Sequence, residues 1–200
     1  MQARRLVLAA AVALAPAVTG AAAHAEVFTL KTTTFEDGKV MPKKVANSAA
    51  NTNNNPNCVG ENVSPEFSWS NVPAGTKSFV FLMIDPEGRG GAGVFHWVAY
   101  GIPASVTGFA EGEVSKPSDK YVGGKSTRGV GTYSGPCTPP GTMPHHYTFV
   151  LIATDFDPTE LPPGLTHDEV VERIAPGGKA PVHAKGDAGL VGLFVNPWKP

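Results

Sequence analysis

The sequence predicts a mainly β domain with one short C-terminal helix and long Gly/Pro-rich loops. At least six stretches either alternate apolar and polar side chains or run almost wholly apolar, the patterns of half-buried and fully buried strands. Only one stretch carries a strong helix-start signal. Glycine and proline are abundant, 23 and 19 residues, but follow no short period, so they mark structured loops and not a low-complexity chain.

In order, Val27–Thr34 alternates and is rich in β-branched residues, an opening strand. Asp37-Gly38 and Met41-Pro42 then signal turns. Six Asn fall in the eleven residues Asn47–Asn57, an exposed and mobile surface loop ending at Cys58. Glu66–Trp69 reads as a short strand with Phe67 and Trp69 on one face, followed by a turn at Val72-Pro73-Ala74-Gly75. Ser78–Ile84 is nearly all apolar, hence buried on both faces, and stops at Asp85-Pro86. A Gly-rich loop, Glu87–Gly93, carries Arg89 into the strand Val94–Ile102. Residues 106–133 are poorer in pattern and suggest a wandering connection with a short strand or two.

Gly135–Leu151 follows, a Gly/Pro loop holding Cys137 that feeds His145 and His146 into an alternating strand running to Thr154. Another Pro-rich loop, Asp155–Gly164, precedes the helix. Thr166 with Glu169 makes a capping box, and Leu165, Val170, Val171 and Ile174 supply its apolar stripe before Pro176-Gly177 ends it. Ala188–Val195 is the last strand, with Gly189 and Gly192 marking close backbone approach.

Arg4 and Arg5, the apolar run Leu6–Val18 and Ala23-His24-Ala25 predict a removed signal peptide over residues 1–25. The mature chain, 26–200, is then one exported domain, destined for the periplasm or the extracellular medium. No other run approaches the ~20 apolar residues of a membrane span, so no transmembrane segment is expected in it. All 17 acidic residues and 14 of the 16 basic ones remain, a net charge near −3 with no basic cluster, which argues against nucleic acid as a partner. No P-loop, strand–GxGxxG–helix unit or HExxH occurs, and no cofactor is expected. Export permits a disulfide between Cys58 and Cys137, worth roughly 4 kcal/mol by loop closure. Two separate buried thiols are the plainer alternative.

A period of two puts His145, Tyr147 and Phe149 on one strand face and His146, Thr148 and Val150 on the other. Asp85 ends one strand and His96 sits in another. Each has a plain reading: a turn-capping Asp, a satisfied core His, a packed Tyr. Together they describe a polar pocket in which two imidazoles, a phenol and loop N–H groups donate to a small anion. Asp85 would orient a histidine or accept from a ligand ammonium, so a zwitterion bearing phosphate and amine fits better than bare phosphate. Two enzymatic alternatives are a metal site of Asp85, His96 and His145, and a hydrolase using Ser134, which lacks the G-x-S-x-G elbow.

These residues resemble the phosphatidylethanolamine-binding protein family, in its bacterial Raf-kinase-inhibitor-like branch. The matching pieces are Cys58-x-Gly60-x-Asn62-x-Ser64-Pro65 with Phe67-x-Trp69, Val72 to Ser78, Asp85-Pro86-Glu87, Phe95-His96-Trp97-Val98, Ile102-Pro103, Gly135-Pro136-Cys137 through Gly141, and His145-His146-Tyr147-x-Phe149. The resemblance implies two packed antiparallel sheets with a small anion-binding pocket at one end. It implies a lining of Asp85, His96, His145 and Tyr147, a wall from Cys137 to Pro139, Glu87 at the rim, and His146 outside. It also supports a Cys58–Cys137 bridge fastening the first loop to the pocket loop. The family's Asp-Pro-Asp-x-Pro reads Asp85-Pro86-Glu87-Gly88-Arg89 here, and Thr138 stands where a proline is common. The function implied is non-enzymatic binding of a small phosphorylated ligand or phospholipid head group, phosphoethanolamine-like. The alternative is an interaction protein acting on an exported protease or other cell-envelope partner through the pocket-rim loops, with a metal-dependent or serine hydrolase third.

Overall fold

The computed structural model describes residues 26–177 and 181–196, so the signal-peptide reading of residues 1–25 lies outside the described residues. Its centre is β4 (Ser78–Asp85), the apolar run expected to be buried on both faces. Phe79, Phe81 and Met83 join one apolar cluster while Val80 and Leu82 join another, so successive side chains enter opposite cores. Burying each of these side chains contributes roughly 1.5–3 kcal/mol.

β4 is flanked by β5 (Val94–Pro103) and β8 (His145–Thr154), both antiparallel to it. Adding β2 (Lys39–Val40), β7 (Val122–Gly123) and β9 (Ala184–Phe194) gives a six-stranded sheet ordered β2-β9-β8-β4-β5-β7. A second sheet of three strands, β1-β3-β6, pairs β1 (Thr29–Lys31), β3 (Phe67–Ser70) and β6 (Gly108–Phe109) antiparallel. The larger core lies between the sheets. There Trp69 meets Phe79 and Phe109 edge-on with ring centroids 5.5 Å apart in each case. Phe67 and Trp69 share the buried face of β3, as the alternation requires.

The outer face of the large sheet is covered by α2 (His167–Ile174), whose Val170 and Ile174 pack with Val80, Leu82, Val98 and Tyr100. Its start follows the sequence signal: the Thr166 hydroxyl accepts from the Glu169 N–H at 3.3 Å, and Glu169 Oε2 accepts from the Thr166 N–H at 2.8 Å.

Four local features depart from the expected elements. β2 was not foreseen, because two residues carry no period, and it pairs parallel to β9 in an otherwise antiparallel sheet. That pairing explains Gly192, where a Cβ would stand 2.5 Å from Met41 Sδ. β9 begins at Ala184, earlier than the apolar run, since its first residues pair with β8 while partly exposed. Within the expected Gly-rich loop, α1 (Gly88–Gly91) is a single turn in which Arg89 and Gly90 take left-handed angles, φ 55° and 69°. The Asn-rich segment is hydrogen-bonded: Asn47 and Thr52 are buried, and Asn53 and Asn54 occupy φ 53° and 59°, where Asn is among the least strained residues.

Candidate functional site

The end of β4 lies between the starts of β5 and β8, and this register brings the polar groups together. Met83 faces Phe149 and Ile84 faces Thr148 across the β4–β8 ladder, so Asp85 arrives beside Tyr147 and His145 on the inner face. On the other side, Met83 pairs with Trp97 but Ile84 pairs with Phe95, leaving His96 as an extra residue. Strict alternation from Trp97, an inner-core residue, would turn His96 to the outer face. The bulge re-aims it inward and sends Phe95 against the outer core.

Asp85 is 3 % exposed and His96 4 %. Asp85 Oδ1 accepts from the N–H groups of Glu87 at 3.0 Å and Gly88 at 2.9 Å. Its Oδ2 is 2.9 Å from His145 Nδ1 and 3.9 Å from His96 Nε2. Burial opposes the Asp85 charge, but hydrogen bonds and charge from His96 and His145 outweigh it and bring its pKa from 3.8 down to about 2. Asp85 is therefore a fixed anion that holds an imidazole in place.

His96 Nδ1 lies 2.7 Å from the Ser134 carbonyl, which only accepts, so Nδ1 carries the proton and Nε2 faces the site. His145 is oriented the same way by Asp85, and both imidazoles present Nε2. Tyr147 packs edge-on against His96 with ring centroids 5.2 Å apart, and its hydroxyl meets Thr138 Oγ1 at 3.0 Å. Burial holds its phenol well above the usual range, against the Thr138 hydrogen bond and with help from the Asp85 charge, so it stays a neutral hydroxyl.

These groups line a cavity of about 240 Å³ together with Cys137, Thr138 and Pro139. The wall is fixed from behind. Cys137 is bridged to Cys58 across 79 residues, and Asn196 Nδ2 donates to Thr138 O at 3.0 Å and Asn57 O at 3.3 Å. Gly135 lies against the Val45 carbonyl with no room for a Cβ, and its N–H donates to Asn62 Oδ1 at 2.8 Å. Gly88 is held as tightly: a Cβ there would stand 2.5 Å from Val94 Cγ2 and 3.2 Å from Asp85 Oδ2.

Of the residues singled out from sequence, Asp85, His96, Cys137, Pro139, His145 and Tyr147 line one cavity. Glu87 stands just outside it. Its Oε1 is 2.8 Å from His146 Nδ1 and its Oε2 accepts from the His146 N–H at 3.0 Å, so the two exposed side chains pair with each other. Sequence reasoning missed Asn55, Arg89 and Arg128, which also line the cavity. Nothing in the pattern distinguishes them from ordinary loop residues, and Arg89 reads only as part of the Gly-rich loop Glu87–Gly93.

The enzymatic alternatives find little geometry here. The Ser134 hydroxyl accepts from Asn47 Nδ2 at 2.8 Å, an amide partner and not the base a nucleophile requires. The trio whose ligand atoms lie within 4.8 Å of one another among the described residues is Asp85, Glu87 and His145, not the Asp85, His96 and His145 expected from sequence, and each group is already engaged with another of them, with His146 or with backbone. That is the pattern of a hydrogen-bond network.

A two-sheet β fold with a buried Asp–His pocket at one end of the larger sheet defines the class. The family model described as phosphatidylethanolamine-binding protein matches residues 31–185, and the chain belongs to that family. Among curated relatives it is 33 % identical over 167 residues to a UPF0098 protein of Methanothermobacter thermautotrophicus, covering 82 % of this chain and 97 % of that one. It is 34 % identical over 176 residues to LppC of Mycobacterium tuberculosis, named a lipoprotein, covering 88 % and 76 %. The crystal structure of Escherichia coli YbcL, described as a member of the mammalian PEBP family, superposes with a TM-score of 0.71 at 25 % identity, covering 84 % and 98 %. No helix among the described residues is long and apolar enough to cross a membrane.

Proposed function

We propose that the protein is a non-enzymatic binding module that holds the phosphoryl group of a small phosphorylated ligand or phospholipid head group. One observation carries this reading: two imidazoles whose Nδ1 atoms are committed to Ser134 O and Asp85 present Nε2 to one small, walled cavity. Each Nε2 accepts in the neutral ring and donates to an anion from the imidazolium form, and rings already held in place need little reorganisation to do so. The phosphoethanolamine-like ligand expected from sequence is one member of this class. The Cys58–Cys137 bridge and a lipoprotein-named relative support action outside the reducing cytoplasm, in the cell envelope or beyond.

Calorimetric titration of inorganic phosphate and O-phosphoethanolamine into oxidised protein tests the reading. Saturable heat that vanishes in His96→Ala and His145→Ala is the expected result. Absence of heat for both ligands at millimolar concentration overturns it.

A second reading, contact with an envelope protein such as a protease through the rim loops, draws on Met143, an apolar side chain 82 % exposed on the pocket loop. A captured partner that binds His96→Ala as well as the parent protein would favour it.

A further inference from the structure

We propose that Arg89 and Arg128 are specificity-determining residues that make the pocket select phosphorylated ligands carrying a second anionic group over those carrying an amine. The inference rests on the phosphoryl-binding reading above and concerns what else the ligand bears.

The two arginines come from separate loops and line the same 240 Å³ cavity as His96 and His145. Among the described residues neither guanidinium has a carboxylate within salt-bridge distance, although other surface cations such as Lys44, Lys77 and Lys120 do. Both are presented by built turns. Arg89 sits at φ 55° in the turn whose Glu87 and Gly88 N–H groups bind Asp85, and Gly93 N–H closes it onto Gly88 O at 3.0 Å. Arg128 sits on a turn organised by the buried Ser126 hydroxyl, which accepts from the N–H groups of Arg128 at 3.3 Å and Val130 at 3.2 Å. That turn is tied to β5 beside the pocket, where Thr127 N–H donates to Phe95 O at 2.9 Å and Thr127 Oγ1 accepts from Phe95 N–H at 2.8 Å.

The negative side of the balance is already engaged. Asp85 is the one carboxylate lining the cavity among the described residues, and its oxygens serve two backbone N–H groups and His145. Glu87 is taken by His146 through both oxygens. An ammonium therefore meets two guanidinium groups without a carboxylate partner and one carboxylate that already holds three hydrogen bonds, whereas a carboxylate or second phosphoryl meets planar forks suited to bidentate pairing. The surface on the other side of Arg89 continues this bias. Arg89 also borders a neighbouring groove of about 540 Å³ that holds Lys125, and the acid there, Asp168, is paired with His167 Nδ1 at 2.7 Å.

The test compares 2-phosphoglycolate with O-phosphoethanolamine, which share a phosphoryl group on a short chain and differ in ending in carboxylate or ammonium. Inorganic phosphate serves as reference. Calorimetry on the oxidised parent protein should give about tenfold tighter binding of 2-phosphoglycolate. In Arg89→Asn/Arg128→Gln the ratio of the two affinities should fall to near one while phosphate binding still responds to His96→Ala. Asn suits the left-handed position, and an unchanged thermal midpoint confirms the fold. Equal affinities in the parent protein, a preference for O-phosphoethanolamine, or a ratio unmoved by the double substitution overturns the selectivity and leaves the phosphoryl pocket standing. Failure of phosphate itself to bind removes both.

Discussion

His96 Nε2 stands 3.9 Å from Asp85 Oδ2 because β5 carries one residue more than β4 at that level. The bulge sends Phe95 and Trp97 to opposite faces although they are two residues apart, and the residue between them joins the pocket. The direction of the side chain at position 96 is set by the bulge and not by the alternation of the strand.

Asp85 sets the acid limb of stability. Its folded pKa of about 2 lies below the unfolded 3.8, so the stabilisation is present above the unfolded value and lost as pH falls through the folded one. The shift corresponds to about 2 kcal/mol at neutral pH. Urea midpoints measured from pH 6 to pH 2 should fall most steeply below pH 4 in the parent protein. Asp85→Asn should flatten that limb, and an unchanged limb in the variant would assign the acid sensitivity elsewhere.

Gly88 is needed for space and not for backbone freedom. An added methyl would stand 2.5 Å from Val94 Cγ2 at the cavity wall, with Asp85 Oδ2 also close. Gly88→Ala should lower phosphate affinity about tenfold or more while circular dichroism stays that of the parent. Undiminished affinity would mean that the loop yields freely.

The Thr138–Tyr147 pair should behave as a unit. Their hydroxyls meet at 3.0 Å in a buried setting, so Thr138→Val or Tyr147→Phe each strands the other partner at a cost of about 1–3 kcal/mol. The double variant should lose less than the sum of the single losses. Additive losses in chemical denaturation would show that water replaces the missing partner.

Much of this was legible because periodicity reports burial directly. β4 had to be buried on both faces, Thr166 and Glu169 had to start a helix, and His145 and Tyr147 had to share a face apart from His146. What escaped had no periodic trace. A two-residue strand, a one-residue bulge and two loop arginines are tertiary facts, set by how the ladders register and where loops end. Asp85 illustrates the boundary: its place at a strand end was readable, but its engagement by two N–H groups and a histidine was not.

Reduction should loosen the pocket before it unfolds the domain. The bridge closes a separation of 79 residues and is worth about 4 kcal/mol by loop closure. Cys58→Ser/Cys137→Ser protein should show a lower denaturation midpoint and weaker phosphate binding at temperatures where it is still folded. Full affinity in the folded variant would make the bridge a stabiliser of the fold alone.

The amide of Asn196 joins two carbonyls that precede it by 139 and 58 residues, Asn57 O and Thr138 O. A chain made from its N-terminus onward holds both loops long before it holds the residue that clasps them. The wall of the site is therefore clasped by a residue that follows β9 in the chain, so the receptacle is whole only in a chain that extends past its last strand.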